Sequence, residues 1–201
     1  CGKTNFVLLA ACSQAKKGSK VIFVDTEGGF SVDRVKQIAP ETHKEILENI
    51  LILTPTNFQE QKKVFENLLK RLKDKEQIGL IIIDGMAMLY RLELGDAVKS
   101  KEDENIKKVN REIAQQMQAL AEISRKQNIP VLITNQVYSE FLSEKDFREG
   151  KEREVSLVGG DLFKYWSKCI IELKNDRGKR RAILRKHRSL PEKELNFEIK
   201  E

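Results

Sequence analysis

Long apolar runs are missing from this chain: nothing approaches the roughly 18 consecutive apolar residues of a bilayer-crossing helix. Cysteine is sparse, and Cys1, Cys12 and Cys169 stand too far apart for a disulfide framework or a zinc site. The start does not read as a secretory leader, because Lys16 and Lys17 follow the apolar stretch and no small-residue cleavage site closes it. Repeats, low-complexity tracts and interdomain linkers are also lacking. These absences point to a soluble, cytoplasmic protein with no membrane partner. What is present is 201 residues, 40% of them hydrophobic, enough for one domain with its own core. The charged fraction of 34% is above the usual level, but LIII at 80–83 and VLI at 131–133 exclude disorder.

Charge is more informative by position than in total. Residues 174–188 carry Lys174, Arg177, Lys179, Arg180, Arg181, Arg185, Lys186 and Arg188 against Asp176 alone. Their net +7 exceeds the +6 of the whole chain. A segment this basic suits phosphates, either of nucleic acid or of a nucleotide on a neighbouring subunit. A solvated hairpin on a Lys/Glu-rich surface is the alternative.

Apolar patterning alternates between strand and helix. Residues 5–17 read as a helix closed by Gly18, and KVIFVD at 20–25 as a buried strand. A short helix follows at 31–38, with Ser31 as N-cap and Pro40 as breaker. Strands are predicted at 49–53 and 79–84, with a helix at 58–72 between them. The unbroken GLIIID run suits a parallel sheet covered on both faces. A long amphipathic helix at 106–126 leads to a strand at 130–135, and 137–158 reads as a charged loop. Then come a helix at 161–166, strands at 168–173, 180–186 and 195–199, and a turn at 175–178. The pattern predicts an α/β fold: a mostly parallel sheet with helices on both faces and antiparallel strands at the C-terminal end.

Gly2-Lys3-Thr4 opening a helix matches the end of a phosphate-binding loop, G-x-x-x-x-G-K-[ST], so the chain is expected to begin inside that loop. Glycine lets backbone N–H groups approach phosphate, lysine reaches the β- and γ-phosphates, and the hydroxyl holds magnesium. Three residues recur by chance, but the strand ends agree with them. Asp84 ends an apolar strand, where open α/β sheets bind ligands and where a carboxylate orients Mg2+. Glu27 follows another strand as a candidate to polarise an attacking water, and Gln136 follows a third as a candidate γ-phosphate sensor.

These residues resemble the ATPase core of the RecA/RadA recombinases, and within that family its short archaeal paralogues. The resemblance spans nearly the whole chain. It rests on GKTN at 2–5, DTEGGFSVDR at 25–34, LIIID at 80–84, ITNQV at 133–137, GGDLFKYW at 159–166 and RSLPEKELNFEI at 188–199. It implies a RecA-like P-loop NTPase core over residues 1–201, with ATP and Mg2+ as ligands. Cys1, Gly2, Lys3, Thr4 and Asn5 would bind nucleotide, and Thr4 and Asp84 would serve the metal. Glu27 would be the catalytic glutamate, with Gln136 linking γ-phosphate to the DNA-binding loop behind it. Arg34 falls where the family stacks an arginine on adenine, and Pro191 where a neighbouring subunit caps the nucleotide. Lys186 occupies a position that the recombinases commonly give to an aspartate.

The loop at 138–157 departs from the recombinases, carrying six acids and four bases. The expectation is therefore an accessory or mediator in homologous recombination and DNA repair with slow ATP hydrolysis, in the nucleoid of an archaeal-like cell. Single-stranded or branched DNA is the expected partner, contacted by Lys174, Arg177, Lys179, Arg180 and Arg181. A RadA-type recombinase, a Holliday-junction resolvase and further copies of the chain are the candidate protein partners. The rival readings are a KaiC-like regulatory ATPase, a ring helicase, and a nucleotide-dependent scaffold without meaningful turnover.

Overall fold

The structure is a computed structural model that describes residues 2–71, 77–139, 155–157 and 159–200. Four strands, β1 (Lys20–Asp25), β2 (Ile50–Leu53), β3 (Ile78–Asp84) and β4 (Val131–Ile133), form a parallel sheet in the order β2-β1-β3-β4. β1 and β3 lie in the middle and run in step, so that Asp25 stands beside Asp84 at their carboxyl ends.

Side-chain alternation along these two strands divides the interior. Val21, Phe23, Leu80 and Ile82 face one way, against α1 (Lys3–Ala15), α2 (Val32–Ile38) and α3 (His43–Glu48). Ile22, Val24, Ile81 and Ile83 face the other, against α4 (Phe58–Arg71), α5 (Met88–Lys99) and α6 (Asp103–Gln127). Both faces are covered, which is why the strand sequences are continuously apolar. Each fully buried aliphatic side chain contributes about 1.5–3 kcal/mol, so these strands are fixed before any polar contact is counted.

Helix boundaries follow local chemistry. Ser31 Oγ accepts the Arg34 N–H at 3.2 Å and opens α2. Asn57 Oδ1 accepts the Glu60 N–H at 2.9 Å, and Glu60 Oε2 in turn accepts the N–H and hydroxyl of Thr56, both at 2.8 Å. The Thr56 hydrogen bonds hold the Glu60 carboxyl below its ordinary range. On the inner side of α4, Gln61 is fully buried and donates to Gln116 of α6 at 2.7 Å and to the Met86 carbonyl at 3.4 Å.

Downstream, β5 (Val137–Ser139) and β6 (Val155–Leu157) pair antiparallel, and α7 (Asp161–Trp166) leads into a three-stranded antiparallel sheet. That sheet comprises β7 (Ile170–Asp176), β8 (Lys179–Lys186) and β9 (Lys193–Phe197). Arg177 (φ 49°) and Gly178 (φ 88°) are both left-handed between the paired Asp176 and Lys179, the geometry that matches strand twist in a two-residue hairpin.

The parallel sheet, the covering helices and the antiparallel C-terminal end match the sequence expectation. Three elements differ. α3 is a six-residue helix too short to display periodicity, and α5 is hidden by Gly95 and by charges spread around it. The stretch 137–158, expected to be all loop, begins and ends in the paired strands β5 and β6. The acidic and basic residues counted at 140–154 lie outside the described residues, as do Cys1 and the predicted helix end at 72.

Loss of the α4 cap gives a direct check. Asn57→Ala is expected to lower stability by about 1 kcal/mol in urea titrations, with an unchanged m-value. A change indistinguishable from zero would show that Asn57 does not hold the first turn.

Candidate nucleotide-binding site

The carboxyl ends of β1, β3 and β4 are tied into one unit by two threonines. The Thr26 hydroxyl donates to the carbonyls of Asp84 (3.0 Å) and Gly85 (2.8 Å), joining β1 to β3. From the other side, Thr134 Oγ1 accepts the Gly85 N–H at 2.8 Å, and its hydroxyl donates to Asp84 Oδ1 at 2.5 Å. Gly85 (φ 90°) has no room for a side chain: a Cβ there would lie 2.5 Å from Thr26 Oγ1 and 2.6 Å from Glu27 Cγ.

Asp25 organises the loop that carries Glu27. Its Oδ1 accepts the N–H groups of Glu27 (3.2 Å) and Gly29 (3.1 Å), and Oδ2 accepts that of Phe30 (2.9 Å). Glu27 is thereby held at the surface, and its Oε1 accepts a hydrogen bond from Gln136 Nε2 at 2.9 Å. This role of Asp25 leaves no local mark in the chain; only the fold of the loop back onto the strand end reveals it. A shallow cavity beside this pair is lined by Glu27, Gly85, Ala87, Met88, Arg91, Asn135 and Gln136. Arg91 was not among the sequence candidates for the site. Its signal, a cation seven residues after Asp84, is indistinct without α5.

The start of α1 meets these strand ends. Thr4 and Asp84 converge on Gly29, where an added Cβ would stand 3.4 Å from both Thr4 Oγ1 and Asp84 Oδ2 and 3.2 Å from Thr4 Cγ2. Asp84 is 1% exposed, and its Oδ2 has no hydrogen-bond partner. A buried carboxylate oxygen left unpaired beside a hydroxyl is an arrangement that a hydrated cation completes. Among the described residues no cluster of three or more His, Cys, Asp or Glu forms an all-protein cage. The donor set therefore fits Mg2+ held through a hydroxyl, water and substrate phosphates. Lys3 stands one residue before Thr4, half-buried, and makes no ion pair among the described residues.

The remaining candidates are dispersed. Gly2 is the left-handed N-cap of α1 (φ 102°), and Asn5 lies in its first turn. Arg34, on α2, donates to Gln37 Oε1 (2.7 Å) and the Lys200 carbonyl (2.9 Å). Pro191 is exposed between β8 and β9, where the ring of His187 accepts the N–H groups of Ser189 and Leu190 just before it. The ammonium of Lys186 donates to the Lys164 carbonyl at 2.7 Å, joining β8 to α7.

The basic hairpin is less positive in space than in sequence. Arg185 is held between Glu172 and Glu192, and its hydrogen bond to Glu172 raises its pKa further. Arg181 pairs with Glu194 at 2.9 Å, and Lys174 lies 3.6 Å from Glu172. Arg177, Lys179 and Arg180 form no ion pair among the described residues.

Comparison with known proteins identifies the family. The Rad51 family model matches residues 1–201. The chain belongs to the Rad51 family. Among its relatives in that family are proteins named DNA repair and recombination protein RadB. The relative from Methanobrevibacter smithii is 40% identical over 100% of this chain and 81% of its own length. That from Methanococcus maripaludis strain C7 is 41% identical over 98% and 83%, respectively. A third, from Methanocaldococcus jannaschii, is 37% identical over 100% and 85%. These relatives are archaeal RadB proteins, so the recombinase resemblance read from the motifs, including its short archaeal branch, holds. Rad51-family proteins in general are ATPases that bind ATP with magnesium, and recombination and repair imply DNA binding. No helix among the described residues is long and apolar enough to cross a membrane.

The threonine lock can be tested without any ligand. Thr134→Val keeps the shape but strands the buried Gly85 N–H and Asp84 Oδ1. It is expected to cost about 1–3 kcal/mol by urea denaturation. A loss below about 0.5 kcal/mol, the range of an ordinary surface change, would remove Thr134 from the lock.

Proposed function

We propose that this chain is a slow, DNA-binding ATPase of the RadB type that assists homologous recombination and DNA repair. The observation that carries the nucleotide half is the convergence of Thr4 Oγ1 and the unpartnered Asp84 Oδ2 at Gly29. Lys3 and the N-terminus of α1 bind the phosphates, and Thr4 with Asp84 holds magnesium. The metal neutralises charge on the phosphoryl oxygens when bound.

Glu27 accepts a proton from the attacking water. Its Oε1 already takes a hydrogen bond from Gln136, so one lone-pair direction is occupied before water arrives. That occupancy supports slow turnover, and it makes Gln136 the group through which events beyond β5 reach the reacting water. Arg34 stacks on the base. In a self-associated form, Pro191 caps a neighbour's nucleotide, and Lys186 exchanges the Lys164 carbonyl for that neighbour's phosphate.

DNA is held by phosphate contacts from the hairpin tip. Arg177, Lys179 and Arg180 supply the cations that Glu172, Glu192 and Glu194 leave unpaired, with Lys174 and Arg181 in weaker support. Single-stranded or branched DNA, a RadA-type recombinase and a Holliday-junction resolvase are the partners proposed for this activity.

In protein carrying the whole phosphate loop, Lys3→Ala is expected to weaken ATP binding about tenfold to a hundredfold. ATP-dependent thermal stabilisation would be lost with it. Wild-type ATP binding by that variant would sink the nucleotide assignment. Glu27→Gln is expected to bind ATP normally and lose phosphate release; unchanged release would assign the water to another base.

For DNA, affinity is expected to fall steeply with salt. Replacing Lys179, Arg180 and Arg181 together by Gln should shallow the log–log slope by about two units, since Arg181 is already paired. An unchanged slope would take the hairpin out of the DNA contact.

A further inference from the structure

The segment that follows β9 touches two of the candidate nucleotide-binding residues, Gly2 and Arg34. Phe197 and Ile199 are half-buried while their neighbours Asn196, Glu198 and Lys200 are exposed, so burial alternates residue by residue from the end of β9 onward. Ile199 Cδ1 stands 2.7 Å from where a Cβ on Gly2 would be, and Phe197 Cε2 stands 3.9 Å from the same point. The segment is thus packed directly on the N-cap of α1, where a φ of 102° favours glycine.

One residue further, the Lys200 carbonyl accepts from Arg34 Nη2 at 2.9 Å. Gln37 Oε1 accepts from Nη1 of the same guanidinium at 2.7 Å, while Nε is buried without a partner. Two acceptors at two corners fix the plane of the guanidinium by its edge. Edge-on restraint leaves a planar cation ready to stack on a flat ring, and the ordering cost is met before a ligand arrives.

We propose that residues 197–200 are a positioning element for the nucleotide base. Ile199 anchors the segment on Gly2, and the anchored Lys200 carbonyl orients Arg34 for stacking. The element links the phosphate end of the site to its base end through the chain's own C-terminal sheet. The inference rests on the nucleotide-binding reading above and extends it to how the base is recognised.

The test compares ATP with inorganic tripolyphosphate, which has the phosphates but no base, by calorimetry in protein carrying the whole phosphate loop. Ile199→Ala is expected to lower ATP affinity about two- to fivefold, the scale of one weakened cation–ring contact. Tripolyphosphate affinity should stay at the wild-type value. Arg34→Ala should show the same split, and adding Ile199→Ala to it should cost nothing more, because the anchor acts only through that arginine. Ile199→Val provides the milder variant should the alanine form fail to fold, with the same split at smaller amplitude. Parallel losses for both ligands, or additive losses in the double variant, would overturn the positioning role and leave a packing role only. Failure of the wild-type protein to bind either ligand would instead overturn the nucleotide site itself.

Discussion

The hydrogen bonds that Thr26 and Thr134 direct onto the Asp84–Gly85 turn reinforce the backbone hydrogen bonds that join the three strand ends. Parallel strands place their carboxyl ends on one edge of the sheet, but they leave the loops beyond free to splay. Here one hydroxyl reads the carbonyls of the turn, and the other reads its N–H and the aspartate side chain. The backbone of Gly85 is therefore satisfied from both sides inside a region closed to water, where an unmet polar group is costly. Gln61 extends the same logic outward by reaching the Met86 carbonyl from α4.

The placement of the Asp84 carboxylate at this edge depends on that lock. Asp84 keeps one oxygen engaged by Thr134 and the other free beside Thr4, so its charge is aimed rather than merely present. Glu27 is placed by a different device, the three N–H groups gathered on Asp25. The two carboxylates thus belong to separately braced loops that meet at Gly85, and a change at that glycine reaches both. Gln136 then connects Glu27 to β5, the start of the segment whose charges set this chain apart from the recombinases it resembles.

Charge in the C-terminal sheet shows how folding edits a composition argument. Residues 174–188 look overwhelmingly positive as a string. Antiparallel pairing brings Glu172 on β7 and Glu194 on β9 against Arg185 and Arg181 of β8, and the net field moves outward to the turn. Exposed pairs of this kind add little stability, but they decide which cations remain available to a phosphate.

The sheet, its covering helices and the order of the motifs are legible in the chain read residue by residue. The reason is that apolar runs, periodicity and glycine turns are local and leave local marks. The same reading also made Lys3, Thr4, Glu27, Asp84 and Gln136 candidates, because each lies at a helix start or at or shortly beyond a strand end. It was silent on α3, which is too brief for periodicity, and on α5, which Gly95 disguises. Which groups meet is visible only once the chain is folded. Asp25 bracing Glu27, Thr134 gripping Asp84 across 50 residues and Lys200 meeting Arg34 across 166 are contacts between distant segments. Their partners are chosen by strand register and by the packing of the C-terminal segment on α1, and neither is written in any single stretch of chain.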